Sequence, residues 1–211
     1  FHHAIGCMFL MNNAITHLKN KGQKITNKEA EALKIAILLH DIGHGPFSHA
    51  LEHSIVSGIN HENISMLIMD KLNEEFKGKL SLAIKIFRNE YSKAFLHQLI
   101  SSQLDVDRLD YLKRDSFYSG VSEGIINSDR IISMLNVSNG NLVVDAKAIY
   151  SIEKFIIARR LMYWQVYLHK TVLSAEFSLV EALKRAKILI KKGVDIFSTS
   201  ALREFLQNNH S

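Results

Sequence analysis

The sequence predicts a mainly α-helical fold carrying one small β-hairpin. Three observations lead there. Apolar residues recur at helical spacing over most of the chain. Thr26 and Asn27, followed by Glu29 and Glu31, form a helix-start signal. Asn139-Gly140 beside Leu142, Val143 and Val144 is a hairpin-turn signal with strand character next to it.

Taken in order, the first helix lies near 3–20, with Ile5, Met8, Phe9, Met11 and Ile15 at apolar positions. The second runs from Glu29 to His40. Pro46 suits the first turn of a third helix through Phe47, Leu51, His53 and Ile55, broken at Gly58 and Asn60. His61 to Phe76 reads as a helix with Ile64, Leu67, Ile68 and Leu72 on one face. Ser81 to Glu90 reads as a short helix, and Lys93 to Leu112 as another with a break allowed. Serines and glycines punctuate Asp115 to Asp129, which reads as a loop. The hairpin pairs Ile131–Val137 with Asn141–Asp145. From Ala146 to about Lys192 the pattern is helical, as one long helix or two. No repeat, low-complexity tract or linker divides the chain.

With 211 residues, 47% hydrophobic and 22% charged, the chain reads as a single globular domain over residues 1–211. It starts at Phe1 rather than Met, and Ala201–Ser211 carries no clear stop signal. A fragment of a longer protein is therefore expected, with the beginning and the C-terminal region missing. A lone cysteine, Cys7, excludes a disulfide framework and fits a cytoplasmic location. No stretch is long and apolar enough to span a membrane. The net charge of +5 fits an anionic partner, either a phosphorylated small molecule or nucleic acid. No motif supports specific nucleic-acid reading.

The chemistry concentrates in His40–His49, HDIGHGPFSH. An adjacent imidazole and carboxylate offer one nitrogen and one oxygen to a divalent cation. Gly43, Gly45 and Pro46 end the helix and let backbone approach what sits above it. Eight of the eleven histidines lie at or before position 61, which scattered surface histidines would not do. A capped helix end with chance histidines would leave two further segments unexplained: Phe1-His2-His3-Ala4-Ile5-Gly6, and Gln103 to Tyr111, QLDVDRLDY.

The order H … HD … D of these three segments resembles the HD-domain metal-dependent phosphohydrolase superfamily. HDIGHGPFSH together with DVDRLDYLKRD is most similar to the deoxynucleoside triphosphate triphosphohydrolases. These include bacterial dGTPases and the animal enzyme that joins a SAM domain to an HD domain. The resemblance covers about residues 1–170. It implies a multi-helix HD-domain bundle with the hairpin as an insertion.

Matched by motif position, the resemblance implies His3, His40, Asp41 and Asp107 as metal ligands. His2 falls on the variable position of its motif. Asp107 is preferred over Asp105, which caps or supports, while Asp110 is placed on another face of its helix. Two imidazoles and two carboxylates suit Mn, Fe, Co, Ni, Zn or Mg. His61 and Glu62 are implied as a proton-transfer pair, with His44 and His49 contacting phosphate or the leaving oxygen. Glu52 matches a position that is often acidic. His17, His53, His97 and His210 read as surface or packing histidines.

Arg108, Tyr111 and Asp115 stand at i, i+3 and i+7, which places them on one helix face. The resemblance assigns phosphate contact to Arg108 and sugar contact to Tyr111 and Asp115. In the later run ARRLMYWQVYLHK it assigns Arg159 to phosphate, and Tyr167, His169 and Lys170 to the nucleotide pocket. Here Tyr163, Trp164 and Gln165 replace a His-Arg-Arg cluster of the animal enzyme, so base preference and effector binding do not carry over directly. Trp164 receives no functional role.

The implied activity is hydrolysis of a deoxynucleoside triphosphate, dGTP favoured, to the deoxynucleoside and inorganic triphosphate. Alternatives are another HD phosphohydrolase, for monophosphates, cyclic dinucleotides or guanosine tetraphosphate, or a non-catalytic nucleotide- or nucleic-acid-binding module. A homo-oligomer is expected, with a nucleotide effector as a candidate partner and no membrane.

Overall fold

In the computed structural model, residues 1–52 and 60–207 are described, without the side chains of His49 and Glu52. The helices are α1 (His2–Asn20), α2 (Asn27–Leu39), α3 (Ser48–Glu52), α4 (His61–Glu75), α5 (Ser81–Phe87), α6 (Ala94–Ile100), α7 (Val106–Ser119), α8 (Ser128–Ser133), α9 (Ile149–Met162), α10 (Lys170–Lys191) and α11 (Ser200–Gln207). One antiparallel hairpin, β1 (Leu135–Ser138) and β2 (Asn141–Val144), pairs Leu135 with Val144 and Ser138 with Asn141. The turn residues Asn139 and Gly140 have φ of 51° and 78°, the conformation that the sequence signal demands. The mainly α fold with a hairpin insertion is thus what the sequence predicts.

Local chemistry sets the helix ends. Thr26 and Glu29 form a reciprocal capping box at the start of α2, worth about 1 kcal/mol. Asn60 caps α4 through Asn63 N, and Asp105 caps α7 through Arg108 N. On α1, Cys7, Leu10, Met11, Ala14, Ile15 and Leu18 are buried at helical spacing. They meet Leu33, Ile37, Leu96, Leu99, Leu109 and Leu112 in one core drawn from α1, α2, α6 and α7. That packing brings the first turns of α1 and α7 to the C-terminal end of α2.

Four expectations need correction. The expected loop from Asp115 is helical until Ser119, where Gly120 stops α7; its serines are compatible with a final turn whose inward residue, Ser116, bonds the Val121 carbonyl. Pro46 lies in a turn and α3 starts two residues later, at Ser48. The inward residues of α4 are Ser65 and Met69, while Leu67 is 64% exposed; the helix turns a hydroxyl inward because two backbone groups need it. The strand expected from Ile131 begins only at Leu135, because Ile131–Ser133 belong to α8. The breaks allowed for in Lys93–Leu112 and Ala146–Lys192 fall at Ser101–Asp105 and at a π-helical turn, Tyr163–Tyr167.

Candidate metal and nucleotide site

His3, on the first turn of α1, points Nε2 towards α2 and α7. That nitrogen lies 3.0 Å from Asp107 Oδ1 and 3.4 Å from Asp41 Oδ2. His40 caps the C-terminus of α2, and its Nδ1 donates to the Ile37 carbonyl at 2.6 Å. Its Nε2 is buried and makes no hydrogen bond, although Asp41 Oδ1 and Asp107 Oδ1 stand 3.3 and 3.6 Å away. Metal–ligand bonds of about 2.1 Å separate adjacent ligand atoms by about 3.0 Å in an octahedron and about 3.4 Å in a tetrahedron. The histidine–carboxylate separations, 3.0–3.6 Å, are close to that spacing. Ligand atoms of His3, Cys7, His40 and Asp107 all lie within 4.8 Å of one another, and Asp41 joins them through its contacts to the two histidines.

The electrostatics agree. Burial disfavours a charged His3 ring, but Asp107, Asp110 and Asp41 outweigh it and raise its pKa. Burial likewise opposes, and Asp107 and Asp41 raise, the pKa of His40. Burial pushes Asp41 and Asp107 up, yet the facing histidines hold both below the usual carboxylate range. Such a pocket attracts positive charge, either a proton on the histidines or an ion that displaces it and takes the lone pair of His40 Nε2. The donor set therefore fits a divalent cation.

A second group adjoins the first. Ligand atoms of Asp41, His44 and His61 also lie within 4.8 Å of one another. The His44 and His61 rings stack with centroids 4.0 Å apart. Nδ1 of His44 pairs with Ser48 Oγ, and its Nε2 is 3.5 Å from Asp41 Oδ1. Glu62 is exposed on the first turn of α4. The side chains of His49 and Glu52, together with His53 and His210, lie outside the described residues.

The backbone after His40 touches α4 at Gly43. A Cβ built there would stand 2.1 Å from the His61 carbonyl oxygen and 2.4 Å from Ser65 N, so only glycine allows the approach. Gly43 N donates to Ser65 Oγ at 2.9 Å. This fixes His61 beside His44.

Further along α7, Tyr111 and Asp115 meet α9 and the turn after it. Tyr167 donates its hydroxyl to Asp115 Oδ2 at 2.5 Å, and its ring lies 6.2 Å from that of Tyr111, edge-on. The Arg159 guanidinium lies over the Tyr163 ring, 5.7 Å from its centroid. Burial disfavours its charge, but the neighbouring Tyr111 and Tyr163 hydroxyls favour it and raise its pKa. Burial pushes the Tyr111 and Tyr167 hydroxyls up, helped at Tyr167 by Asp115. A groove of about 730 Å³ beside them is lined by Gln103, Leu104, Phe155, Arg159, Tyr163 and Trp164, among others. That volume is in the range of small-molecule sites.

Several residues stand elsewhere than the sequence suggested. The Arg108 guanidinium pairs with Asp105, whose carboxylate also accepts from Ser102 N at 2.8 Å. His169 is exposed and caps α10, its Nδ1 accepting from Thr171 N at 3.3 Å, and Lys170 is exposed beside it. Asp110 is not turned away: its Oδ2 accepts from His3 Nδ1 at 2.7 Å. Cys7, one turn from His3, brings Sγ to 3.5 Å from Nδ1. Burial pushes this thiol up to about 11, so it is a neutral thiol at neutral pH. Asp110 sits three residues after Asp107 and Cys7 four after His3, so helical spacing carried the signal for both.

A family model described as HD domain matches residues 1–115, and one described as HD associated region matches residues 126–202. The chain is 33% identical to the uncharacterized protein YwfO of Bacillus subtilis, over 92% of this chain and 46% of that protein. It is 29% identical to a deoxynucleoside triphosphate triphosphohydrolase SAMHD1 homolog of Dictyostelium discoideum, over 90% of this chain and 41% of that one. The crystal structure of a phosphohydrolase from Bacteroides thetaiotaomicron superposes with a TM-score of 0.96 at 59% identity, over 98% of this chain and 51% of that chain. The chain thus spans about half, or less, of the length of these relatives.

Proposed function

The chain belongs to the HD domain family, and on that premise we propose that it is a metal-dependent phosphohydrolase acting on deoxynucleoside triphosphates, dGTP favoured. One observation carries this reading. Four metal-type ligands from α1, α2 and α7 converge, and the same α7 continues into the Tyr111, Asp115, Arg159 and Tyr167 cluster. The similarity to named triphosphohydrolases supports the substrate class.

In this reading His3, His40, Asp41 and Asp107 hold the ion, which is Mn, Fe, Co, Ni, Zn or Mg. A divalent ion held there neutralises charge on a phosphate oxygen and acidifies a water. His61 moves the proton, with Glu62 at its side, and His44 and His49 face the phosphate or the leaving oxygen. Arg159 answers the negative charge of the phosphates, as does Arg108 once its guanidinium exchanges Asp105 for phosphate, and Lys170 lines the nucleotide pocket. Tyr111 forms the wall against the sugar. Tyr167 holds Asp115 towards the 3′-hydroxyl, and His169 borders the pocket. Residues 1–211 act as one domain. The reading extends to a cytoplasmic homo-oligomer with a nucleotide effector as a candidate partner. Among the described residues no helix is long and apolar enough to cross a membrane.

The test is product analysis on the full-length protein with Mn²⁺ and the four dNTPs, singly and mixed, with GTP and guanosine tetraphosphate as controls. Release of intact triphosphate and deoxynucleoside is expected. Absence of cleavage for every dNTP would reassign the site to another nucleotide or to binding alone.

A further inference from the structure

We propose that Asp110 and Arg114 are positioning residues for His3, fixing which ring nitrogen faces the metal centre. This rests on the reading of His3, His40, Asp41 and Asp107 as that centre.

His3 is held from two sides. Its Nδ1 lies 2.7 Å from Asp110 Oδ2, and its Nε2 lies 3.0 Å from Asp107 Oδ1. An ionised carboxylate only accepts hydrogen bonds, so Nδ1 is the donor to Asp110, and the Nε2 proton that faces Asp107 is the one a bound ion would displace. A neutral ring protonated at Nδ1 presents its lone pair at Nε2, on the side of Asp41 and Asp107. A carboxylate behind a ligand histidine sets the tautomer and the ring plane in this way and raises the basicity of the ligand nitrogen.

Asp110 is itself held. Arg114, one turn later on α7, donates Nε to the same Oδ2 at 2.8 Å and Nη2 to Oδ1 at 2.9 Å. The fork pins the plane of the carboxylate. Asp110 is only 8% exposed, and a buried carboxylate without such a partner would be costly. One helix thus supplies a ligand, Asp107, and one turn on the partner of another ligand, His3.

The chain makes room for this contact. A Cβ at Gly6 would stand 2.0 Å from Asp110 Oδ1 and 2.4 Å from Arg114 Nη2. Cys7 Sγ also approaches Nδ1, but at 3.5 Å and as a weak partner. The two ring ligands are therefore oriented by different devices. His40 uses a carbonyl three residues back in its own helix. His3 uses a carboxylate 107 residues away.

The test titrates Co²⁺ into the full-length protein by calorimetry and visible absorption, for wild type, Asp110→Ala, Asp110→Asn and Arg114→Met. Asp110→Ala should weaken the metal by about 10- to 100-fold and shift the cobalt absorption band. Asp110→Asn, whose carbonyl still accepts from Nδ1, should recover part of that loss. Arg114→Met should fall between wild type and Asp110→Ala. A purely structural role would lower the melting temperature and leave affinity and spectrum alone, which would overturn the proposal. Should Asp110→Ala fail to fold, nitrogen NMR of the zinc-loaded wild type decides. Protonated Nδ1 with metal-bound Nε2 at His3 is expected, and the reverse would overturn the assignment. Wild type that holds no metal would overturn the centre and this proposal with it. Wild-type binding beside an unchanged Asp110→Ala would overturn the positioning role alone.

Discussion

The Ser65 hydroxyl donates to the His40 carbonyl at 2.8 Å. Ser65 is fully buried, and the same oxygen accepts from Gly43 N at 2.9 Å. One side chain on α4 therefore satisfies two backbone groups of the turn that carries His40 and Asp41. Ser65→Ala leaves both groups without that partner, at about 1–3 kcal/mol. Urea denaturation should report a loss in that range. Stability within about 0.5 kcal/mol of wild type would mean the turn is held by other contacts.

His40 and His61 should separate into two kinds of variant. His40 presents an unbonded, buried Nε2 to the ligand cluster. His61 stacks on His44 beside it. His40→Ala should lose bound metal and turnover together, with helical content retained. His61→Ala should keep metal while kcat falls by about 100-fold or more. Metal analysis beside steady-state kinetics distinguishes them. Loss of metal in His61→Ala would move that residue into the ligand set.

The tyrosine cluster gives a prediction about substrate. The Tyr167 hydroxyl bonds Asp115 Oδ2 and so orients that carboxylate. Tyr167→Phe should lower kcat/KM for a dNTP by about tenfold, as expected for one hydrogen bond to a charged group. Tyr111→Ala should instead weaken discrimination between dNTP and NTP. Parallel kinetics on both nucleotide classes would show it, and unchanged discrimination would remove the tyrosine wall.

Glu29 predicts an acid dependence. Burial pushes its carboxyl up, but Lys93, the Thr26 amide and Tyr91 prevail and hold it at about 2, below the ordinary 4.5. The Tyr91 hydroxyl donates to Oε1 at 2.8 Å, and Lys93 Nζ lies 2.8 Å from the same oxygen. A depressed pKa stabilises the fold above pH 4.5, and that stability is lost as pH falls towards 2. The contribution is about 3 kcal/mol. Glu29→Gln should be less stable than wild type at neutral pH and should show a flatter decline between pH 4.5 and 2. Parallel declines in thermal melts would place the acid sensitivity elsewhere.

Helices, caps and the hairpin were legible because they depend on residues close in sequence. The helix start at Thr26 and Asn27 and the Asn139-Gly140 turn each depend on a few adjacent positions, and both stand there in the fold. The order H … HD … D was legible as well, since a motif keeps its residue types in register. The inward face of α4 was not. Periodicity ranks Leu67 as a core residue, but the neighbouring turn needs a hydroxyl, and Ser65 faces inward instead.

By itself, then, the sequence determined the mainly helical class, the hairpin and the candidate ligands His3, His40, Asp41 and Asp107. Only the tertiary structure decided how those ligands meet and what stands behind them. His3 and Asp107 are 104 residues apart, and His3 and Asp110 are 107 apart. Local propensity cannot specify such a contact. It follows from the packing of α1 against α7 over a shared core, where Gly6 leaves room for a carboxylate and an arginine behind the ring.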